Sequence, residues 1–296
     1  MTDEQMETPV RKPALRQQPR LVLMGEFSAG KSTLSNMLLG SRPLPMRVTA
    51  TRLPPVEITH GPEAAFAVAM DGSRSEIDLE NLEAVSLDET RSIELHMEAE
   101  LLEHCALVDM PGVSDPSMQQ QYWENVVGPK DHVIWCTHAT QAWRQSEAAI
   151  WNVLRPNARG TNLLLITQFD KLRNDRDKKR VLKRMERETD GLFDAIYPVS
   201  LLQALEAGDD EAAWEASGAA DLSAHIARIV ARQSMHELEA QEAALNPNDE
   251  KMDPFQAPAQ FGADPEAAVV PRRIQARPAR IASERMPARA LPGLGQ

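Results

Sequence analysis

The segment Gly25-Glu26-Phe27-Ser28-Ala29-Gly30-Lys31-Ser32-Thr33 separates a short apolar run, Leu21–Met24, from a helical pattern, Ser32–Leu39. It matches G-x-x-x-x-G-K-[ST], the pattern of a phosphate-binding loop between a strand and a helix. Glycines let the backbone approach phosphates closely, with N–H groups pointing inward, and the helix N-terminus adds partial positive charge. A chance match is the alternative, but it would not explain why a strand precedes the motif and a helix follows it.

Within this loop, Lys31 is predicted to supply a point charge to the β- and γ-phosphates, which makes it a catalytic candidate as well as a binding one. The Ser32 hydroxyl is a candidate Mg²⁺ ligand, because hard cations prefer oxygen donors. The other predicted binding residues of the loop are Gly25, Ser28, Ala29, Gly30 and Thr33.

A second apolar run, Cys105–Asp109, ends in a carboxylate. Asp109 is therefore the second candidate for the Mg²⁺ shell. The next residues complete Asp109-Met110-Pro111-Gly112, in which the Gly112 N–H is a candidate contact to the γ-phosphate and so a catalytic candidate. Loss of that phosphate would release the following loop, which predicts a conformational switch.

A third motif follows the apolar run Asn162–Thr167. Thr167-Gln168-Phe169-Asp170 resembles the base-recognition motif [NT]-K-x-D of Ras-like and Era-like GTPases. The resemblance implies a buried Asp170 that accepts hydrogen bonds from N1–H and the exocyclic amine of guanine, a donor pair that adenine lacks. The alternative interpretation of Asp170 is a helix N-cap. Gln168 departs from the family's lysine; it can stack on the purine but carries no charge, so nucleotide affinity is expected to be lower.

A fourth, weaker motif is Pro198-Val199-Ser200-Leu201, which resembles the S-A-[KL] loop whose backbone N–H reads guanine O6. It makes Ser200 the last predicted binding residue. The four motifs occur in the order found in GTPases, and together they favour a guanine nucleotide over an adenine nucleotide as the ligand. A P-loop ATPase or kinase is the alternative, since Lys31, Ser32 and Asp109 would serve it equally well.

Strand-like runs alternate with helical patterns along most of the chain. The fold class predicted is α/β, with a mostly parallel central sheet and helices on both faces. Predicted strands are Leu21–Met24, Val56–Thr59, Ala65–Met70, Cys105–Asp109, His132–Thr137, Asn162–Thr167 and Ala195–Val199, and predicted helices are Ser32–Leu39, Met118–Val127, Gln145–Leu154, Asp175–Thr189 and segments up to Leu245. The predicted domains are a disordered segment 1–19, a nucleotide-binding domain with a helical extension 20–245, and a disordered tail 246–296.

Composition narrows the class of protein. The formal net charge of −12 disfavours bulk attraction to nucleic acid, so no nucleic-acid partner is expected. No run of 18 apolar residues and no secretory signal is found, so a cytoplasmic location is expected, with peripheral membrane contact as an addition. Cys105 and Cys136 lie in apolar runs and are interpreted as reduced core thiols, with a metal pair of His104 and Cys105 as a minor alternative. Arginines near the C-terminus indicate a solvated tail, or a docking arm for an acidic partner or membrane.

The amino-acid sequences of the loop Gly25–Thr33 and of the segment Val48–Pro54 resemble the phosphate-binding loop and the first switch of the bacterial dynamin-like GTPases. The resemblance implies GTP and GDP as ligands, Mg²⁺ as cofactor, and Thr51 as catalytic and metal-binding switch residue, with Thr49 as the alternative. Two departures predict slow hydrolysis: Phe27 and Val113 stand where relatives carry a water-orienting glutamine, and neither side chain can orient water. A partner or a dimer is a candidate source of the missing group. Arg47 and Arg52 are candidates for a charge-stabilising arginine, with solvated loop arginines as the alternative.

The resemblance also bears on partners. Dynamin relatives that bend membranes carry a long helical stalk, whereas this sequence offers helix only over about Asp209–Leu245 after the nucleotide-binding region. We therefore expect action through a homodimer or a stalk-bearing partner protein rather than membrane remodelling by this chain alone. The alternative function is a GTP-loaded scaffold with negligible hydrolysis.

Overall fold

The computed structural model describes residues 18–40, 53–79, 82, 85–113 and 127–245, without the side chains of 233, 234 and 236–245. A nine-stranded sheet has the order β4-β3-β5-β2-β6-β1-β7-β8-β9. The strands are β1 Arg20–Gly25, β2 Val56–His60, β3 Ala64–Ala69, β4 Arg74–Ile77, β5 Thr90–Met97, β6 Ala106–Asp109, β7 His132–His138, β8 Asn162–Thr167 and β9 Ala195–Pro198. The α-helices are α1 Lys31–Leu39, α2 Gln145–Leu154, α3 Asp175–Glu188, α4 Leu201–Glu206, α5 Glu211–Ala216 and α6 Ala219–Leu245, and short 3-10 helices span Glu100–Glu103, Ala139–Gln141 and Phe169–Lys171.

The centre of the sheet is parallel. β1 pairs in parallel with β6 and β7, and β7, β8 and β9 continue in the same sense. The mostly parallel sheet predicted from the sequence is therefore confirmed. β2 pairs antiparallel with β6, and β3 pairs antiparallel with β4 and β5, so one side of the sheet is an antiparallel wing. The strands β4 and β5 of this wing were not predicted: β4 is a short polar run, and β5 alternates polar with apolar residues and has no continuous apolar stretch.

Helices cover both faces of the sheet, as the sequence predicts. Alternate residues of β1 point to opposite faces, because side chains along a strand alternate. Leu21 and Leu23 belong to a buried cluster that also includes apolar residues of α1, α4 and α6. Val22 and Met24 belong to a second cluster, with Trp151 of α2. The apolar run at β1 is thus a strand buried on both sides.

The C-terminal helical region is not continuous. The sequence predicts helix over about Asp209–Leu245, but the structure breaks it at Gly218 between α5 and α6. Gly218 has φ +82°, and a Cβ atom there would lie 2.3 Å from the Pro198 carbonyl oxygen. This residue must be glycine, because the chain turns sharply where it packs on the end of β9. α6 contains 27 residues, about 40 Å at 1.5 Å per residue.

Several predictions fall outside the described residues. These are most of the helix Met118–Val127, the switch segment around Thr51, most of the segment 1–19, and the tail 246–296. Across the described ranges, no helix is both long enough and apolar enough to cross a membrane. Cys105 and Cys136 are fully buried, as expected of core thiols, and burial raises the pKa of each to about 12. Cys105 precedes the strand in which it was predicted, since β6 begins at Ala106.

Candidate nucleotide site

The predicted loop lies where parallel strands end at the centre of the sheet. β1 ends at Gly25, its neighbour β6 ends at Asp109, and β8 ends at Thr167. The carboxyl ends of parallel strands meet at one edge, where α/β proteins bind their ligands. Three motifs that are far apart in the sequence therefore converge.

The loop itself is closed around the Lys31 side chain. Lys31 is the first residue of α1 and is buried, with 8% of its surface exposed. Its Nζ donates hydrogen bonds to the carbonyl oxygens of Gly25 at 3.0 Å and Glu26 at 2.9 Å. Burial lowers the pKa of Lys31, and the carboxylate of Asp109 opposes that shift. The ammonium group is thus held at the centre of the loop, where the phosphate-binding role requires it.

The loop backbone uses conformations that few residues adopt. Ser28 has φ +60° and Gly30, the N-cap of α1, has φ +92°. Gly25 has φ +139°, and a Cβ atom there would lie 2.1 Å from the carbonyl oxygen of Cys136 in β7. The first glycine of the motif is therefore required by close packing against the neighbouring strand, as well as by its own backbone conformation.

Substitution of Gly25 by alanine should lower the free energy of unfolding by about 4 kcal/mol, from overpacking and left-handed strain together. Gly72→Ala is the matched control, since Gly72 also has a positive φ but a Cβ atom added there would meet nothing within 4 Å; it should lose only about 1 to 2 kcal/mol. Chemical denaturation of both variants measures the difference. Equal losses would mean that the contact with Cys136 is not a constraint.

Asp109 faces the loop from β6. Burial raises its pKa to about 6, while Lys31 and a hydrogen bond from Ser35 act in the opposite direction. The first turn of α1 places Ser32 and Thr33 partly exposed at the same edge. A hydroxyl and a carboxylate are oxygen donors of the kind Mg²⁺ prefers, so Ser32 and Asp109 fit this ion chemically.

Gly112 lies directly against the phosphate loop. A Cβ atom on Gly112 would be 2.8 Å from the Phe27 backbone nitrogen. The Val113 N–H donates to the Gly25 carbonyl oxygen at 3.1 Å, which fastens this segment to the end of β1. Phe27 is 77% exposed and Val113 is buried, so the two positions that lack a glutamine differ in environment.

The third motif braces the loop from β8. The Thr167 hydroxyl donates to the carbonyl oxygens of Ala29 at 2.7 Å and Thr137 at 3.2 Å. Gln168, with φ +52°, donates its Nε2 to the Ser28 carbonyl oxygen at 3.1 Å. Lys171 Nζ in turn donates to Gln168 Oε1. The sequence indicated that Gln168 can stack on the base but carries no charge, and Lys171 was not identified; the only signal was a lysine directly after Asp170.

The expectation of a buried Asp170 is wrong, because its side chain is exposed. It lies in the 3-10 turn Phe169–Lys171, which follows the end of the sheet and projects to the surface. The N-cap alternative is also wrong. The cap of α3 is Asn174, whose side chain accepts from the Asp177 N–H at 2.9 Å. Asp170 therefore has no capping role for α3, and its carboxylate is accessible to a ligand.

The prediction for Ser200 needs a similar correction. Ser200 is buried, and its backbone N–H donates to the Ser217 carbonyl oxygen at 2.9 Å. That amide is therefore used within the fold and is not available to a base. The next amide belongs to Leu201, the first residue of α4. Leu201 packs behind the loop, since a Cβ on Gly30 would lie 3.3 Å from Leu201 Cδ1.

A charged network next to the loop was not predicted. The Glu26 carboxylate accepts hydrogen bonds from Arg144 Nη1 at 2.7 Å and from Ser146 Oγ at 2.6 Å. Glu147, which is buried, accepts from the Arg144 backbone N–H at 2.9 Å and from Trp135 Nε1 and Thr137 Oγ1, each at 3.0 Å. The buried carboxylate thus fixes the backbone that carries Arg144. The sequence carries no signal for this pairing, because Glu26 and Arg144 are distant in the chain.

Thr51, its alternative Thr49, and the two candidate arginines Arg47 and Arg52 lie outside the described residues. Among the residues that are described, no group of three or more His, Cys, Asp and Glu side chains is arranged to hold a metal ion.

Comparison with known proteins gives two kinds of match. The family described as the dynamin family matches residues 21–169, about half of the chain. Two structures of an oligomerised bacterial dynamin pair, associated with long-range sensing and tethering of membranes, superpose with TM-scores of 0.52 and 0.50 at 18% identity, covering 73% of this chain and 37% and 36% of those chains. The Era protein of Aquifex aeolicus bound to GDP·AlF4− has a TM-score of 0.35 at 16% identity, covering 63% of this chain and 53% of that one. A comparison with curated protein sequences found no significant match.

Proposed function

Because the chain belongs to the dynamin family of GTPases, we propose that residues 20–245 form a domain that binds and hydrolyses GTP and switches conformation with the nucleotide. The observation that carries the proposal is the convergence of the Lys31 loop, Asp109 and the Thr167–Asp170 segment at one edge of the sheet. In this proposal Lys31 and the loop amides bind the β- and γ-phosphates, and Asp170 selects guanine.

Magnesium chemistry would be supplied through Ser32 and Asp109, joined by Thr51. When bound, the ion neutralises charge on the phosphate oxygens. Gly112 would hold the γ-phosphate through its backbone N–H, since the segment that carries it already lies against the loop. Loss of the phosphate would release Gly112 and the residues after it, which is the switch.

Hydrolysis is expected to be slow. Phe27 and Val113 are apolar, and Phe27 projects into solvent beside the loop. Neither can orient an attacking water. This feature also supports the alternative function, a GTP-loaded scaffold. This chain spans little more than a third of the length of the chains in the dynamin-pair structures. The proposed partner is therefore a second copy of the chain or a stalk-bearing protein. The proposed location is the cytoplasm, with peripheral membrane contact.

Phosphate release under single-turnover conditions, with GTP, Mg²⁺ and excess protein, tests the proposed activity. We expect a rate on the order of 10⁻⁴ to 10⁻³ s⁻¹, that of an unassisted GTPase, and its loss in Ser32→Ala. Ser223→Ala, on α6, is the matched control. Binding without any turnover would favour the scaffold, and equal turnover of ATP would favour an ATPase.

The Gln168–Lys171 pair is expected to replace the single lysine of the usual base motif. Gln168→Ala and Lys171→Ala should each weaken GDP binding about threefold, and the double variant should be no weaker than Gln168→Ala alone, because the pair acts as a unit. Gln168→Lys should restore affinity in the Lys171→Ala background. Isothermal titration measures all four, with Lys179→Ala on α3 as control. Additive losses without rescue would contradict the pairing.

Arg144 is expected to neutralise the Glu26 carboxylate and so to reduce its repulsion of a triphosphate bound in the loop. Arg144→Gln leaves the Glu26 carboxylate uncompensated in an anion-binding loop, so binding of a nonhydrolysable GTP analogue should weaken about tenfold and that of GDP by less. Adding Glu26→Gln should restore analogue binding. Fluorescence titration with labelled analogue and labelled GDP measures both. An unrescued double variant would show that Arg144 acts in some other way.

A further inference from the structure

A cavity with several charged lining residues lies at the opposite edge of the sheet from the candidate nucleotide site. It has a volume of about 630 Å³ and lies where the loops before β7, β8 and β9 meet α6. Its charged and titratable lining residues are Lys130, His132, Asp194, His225, Arg228 and Arg232. None of the sequence motifs for the nucleotide contributes to it.

The helix supplies most of the positive charge. His225, Arg228 and Arg232 are spaced three and four residues apart on α6, so they lie on one face of that helix. Like charges four residues apart destabilise a helix slightly. Within the described ranges, neither arginine forms an ion pair that would offset this repulsion, and nor does Lys130 in the loop before β7.

The one carboxylate of the cavity is already engaged. Asp194 Oδ2 accepts the Asn162 backbone N–H at 2.6 Å. The two histidines of the cavity are neutral or positively charged, so Asp194 is the only negatively charged residue in the part of the lining that the structure describes. Burial lowers the pKa of His225 most, Arg228 and Arg232 lower it further, and Asp194 opposes them. His225 Nδ1 is hydrogen-bonded to the Tyr197 hydroxyl at 2.6 Å, so its ring is held in place.

We propose that this cavity binds a phosphate group carrying two negative charges, as found in a phosphomonoester. Lys130, Arg228 and Arg232 outnumber the single carboxylate, Asp194, among the described lining residues, so the local charge is opposite in sign to the net charge of −12 of the whole chain. Arginine guanidinium groups suit phosphate oxygens because their donors match in pairs. The cavity is larger than a phosphate, which leaves room for the group that bears it. The site is separate from the nucleotide and goes beyond the proposed function.

The test uses the full chain saturated with Mg²⁺·GDP, so that the nucleotide loop cannot take up the probe. Isothermal titration with inorganic phosphate forms one arm, and flotation with phosphatidylcholine vesicles, with or without phosphatidic acid, forms the other. The cavity variant is Arg228→Gln with Arg232→Gln. The control is Arg91→Gln with Arg187→Gln, which removes the same charge from exposed positions on β5 and α3.

Phosphate binding that weakens at least tenfold in the cavity variant and less than twofold in the control supports the site. Cavity-dependent flotation with phosphatidic acid would identify a lipid headgroup as a source. Cavity-dependent phosphate binding without flotation would identify a soluble phosphomonoester. No binding in either arm, or equal loss in both variants, would overturn the proposal. A circular dichroism melt of each variant shows that the fold is retained, and Lys130→Gln provides a second, loop-based variant that should also weaken binding.

Discussion

Lys31→Ala is expected to reduce affinity for Mg²⁺·GDP about 100-fold, and for a GTP analogue by more. Charge-assisted hydrogen bonds are the strongest class of hydrogen bond. Lys31 is expected to donate to both the β- and the γ-phosphate, so its removal costs more than one such bond. The ammonium group is also what the Gly25 and Glu26 carbonyl oxygens accept from, so the variant loses the organisation of the loop as well as the charge.

Isothermal titration of wild type, Lys31→Ala and Lys183→Ala measures this effect. Lys183 is exposed on α3, so its substitution removes the same charge without touching the loop. Thermal melts without nucleotide separate loss of binding from loss of fold. Undiminished GDP affinity in Lys31→Ala would mean that the loop is not the phosphate site.

Asp170→Asn is expected to change the preferred base from guanine to xanthine. The carboxylate accepts from two guanine donors, and an amide would present a donor in place of one acceptor. Affinity for GDP should fall about 100-fold, and affinity for xanthosine diphosphate, which carries a carbonyl where guanine has its amine, should rise above it. Because Asp170 is exposed, its substitution removes few contacts and should leave the fold unchanged.

Competition of labelled GDP by unlabelled GDP, xanthosine diphosphate and ADP measures the exchange. Asp175→Asn, in the first turn of α3, is the charge-matched control and should leave the order of the three ligands unchanged. If GDP affinity in Asp170→Asn stays at the wild-type value, Asp170 does not read the base.

The central part of the fold was predictable because its signals are local. The apolar runs at β1, β7 and β8 are buried on both sides of a parallel sheet, and such strands appear in the sequence as continuous hydrophobic stretches. The antiparallel wing was less visible. β4 is mostly exposed and β5 alternates polar with apolar residues between loops, so neither forms a continuous apolar run.

The candidate site likewise has features that the sequence predicts and features that it does not. Lys31 and Gly25 were predictable, because backbone geometry around a phosphate dictates both residue types. The exposure of Asp170 and the engaged amide of Ser200 were not, since each depends on how a turn or a distant residue, Ser217, packs. The Glu26–Arg144 pair joins two loops that are distant in the chain, and residue spacing carries no information about it. The Gln168–Lys171 pair lies within one turn, and a lysine three residues after Gln168 was its only signal.

The central claim is that one edge of this sheet binds a magnesium-bound guanine nucleotide. Isothermal titration of the purified chain with GDP, a nonhydrolysable GTP analogue and ATP, each with Mg²⁺, tests it most directly. We expect one site per chain, guanine nucleotides bound at micromolar concentration and ATP at least 100-fold more weakly, a ratio that corresponds to about 2.7 kcal/mol. No heat of binding with millimolar GDP, or equal affinity for ATP, would contradict it.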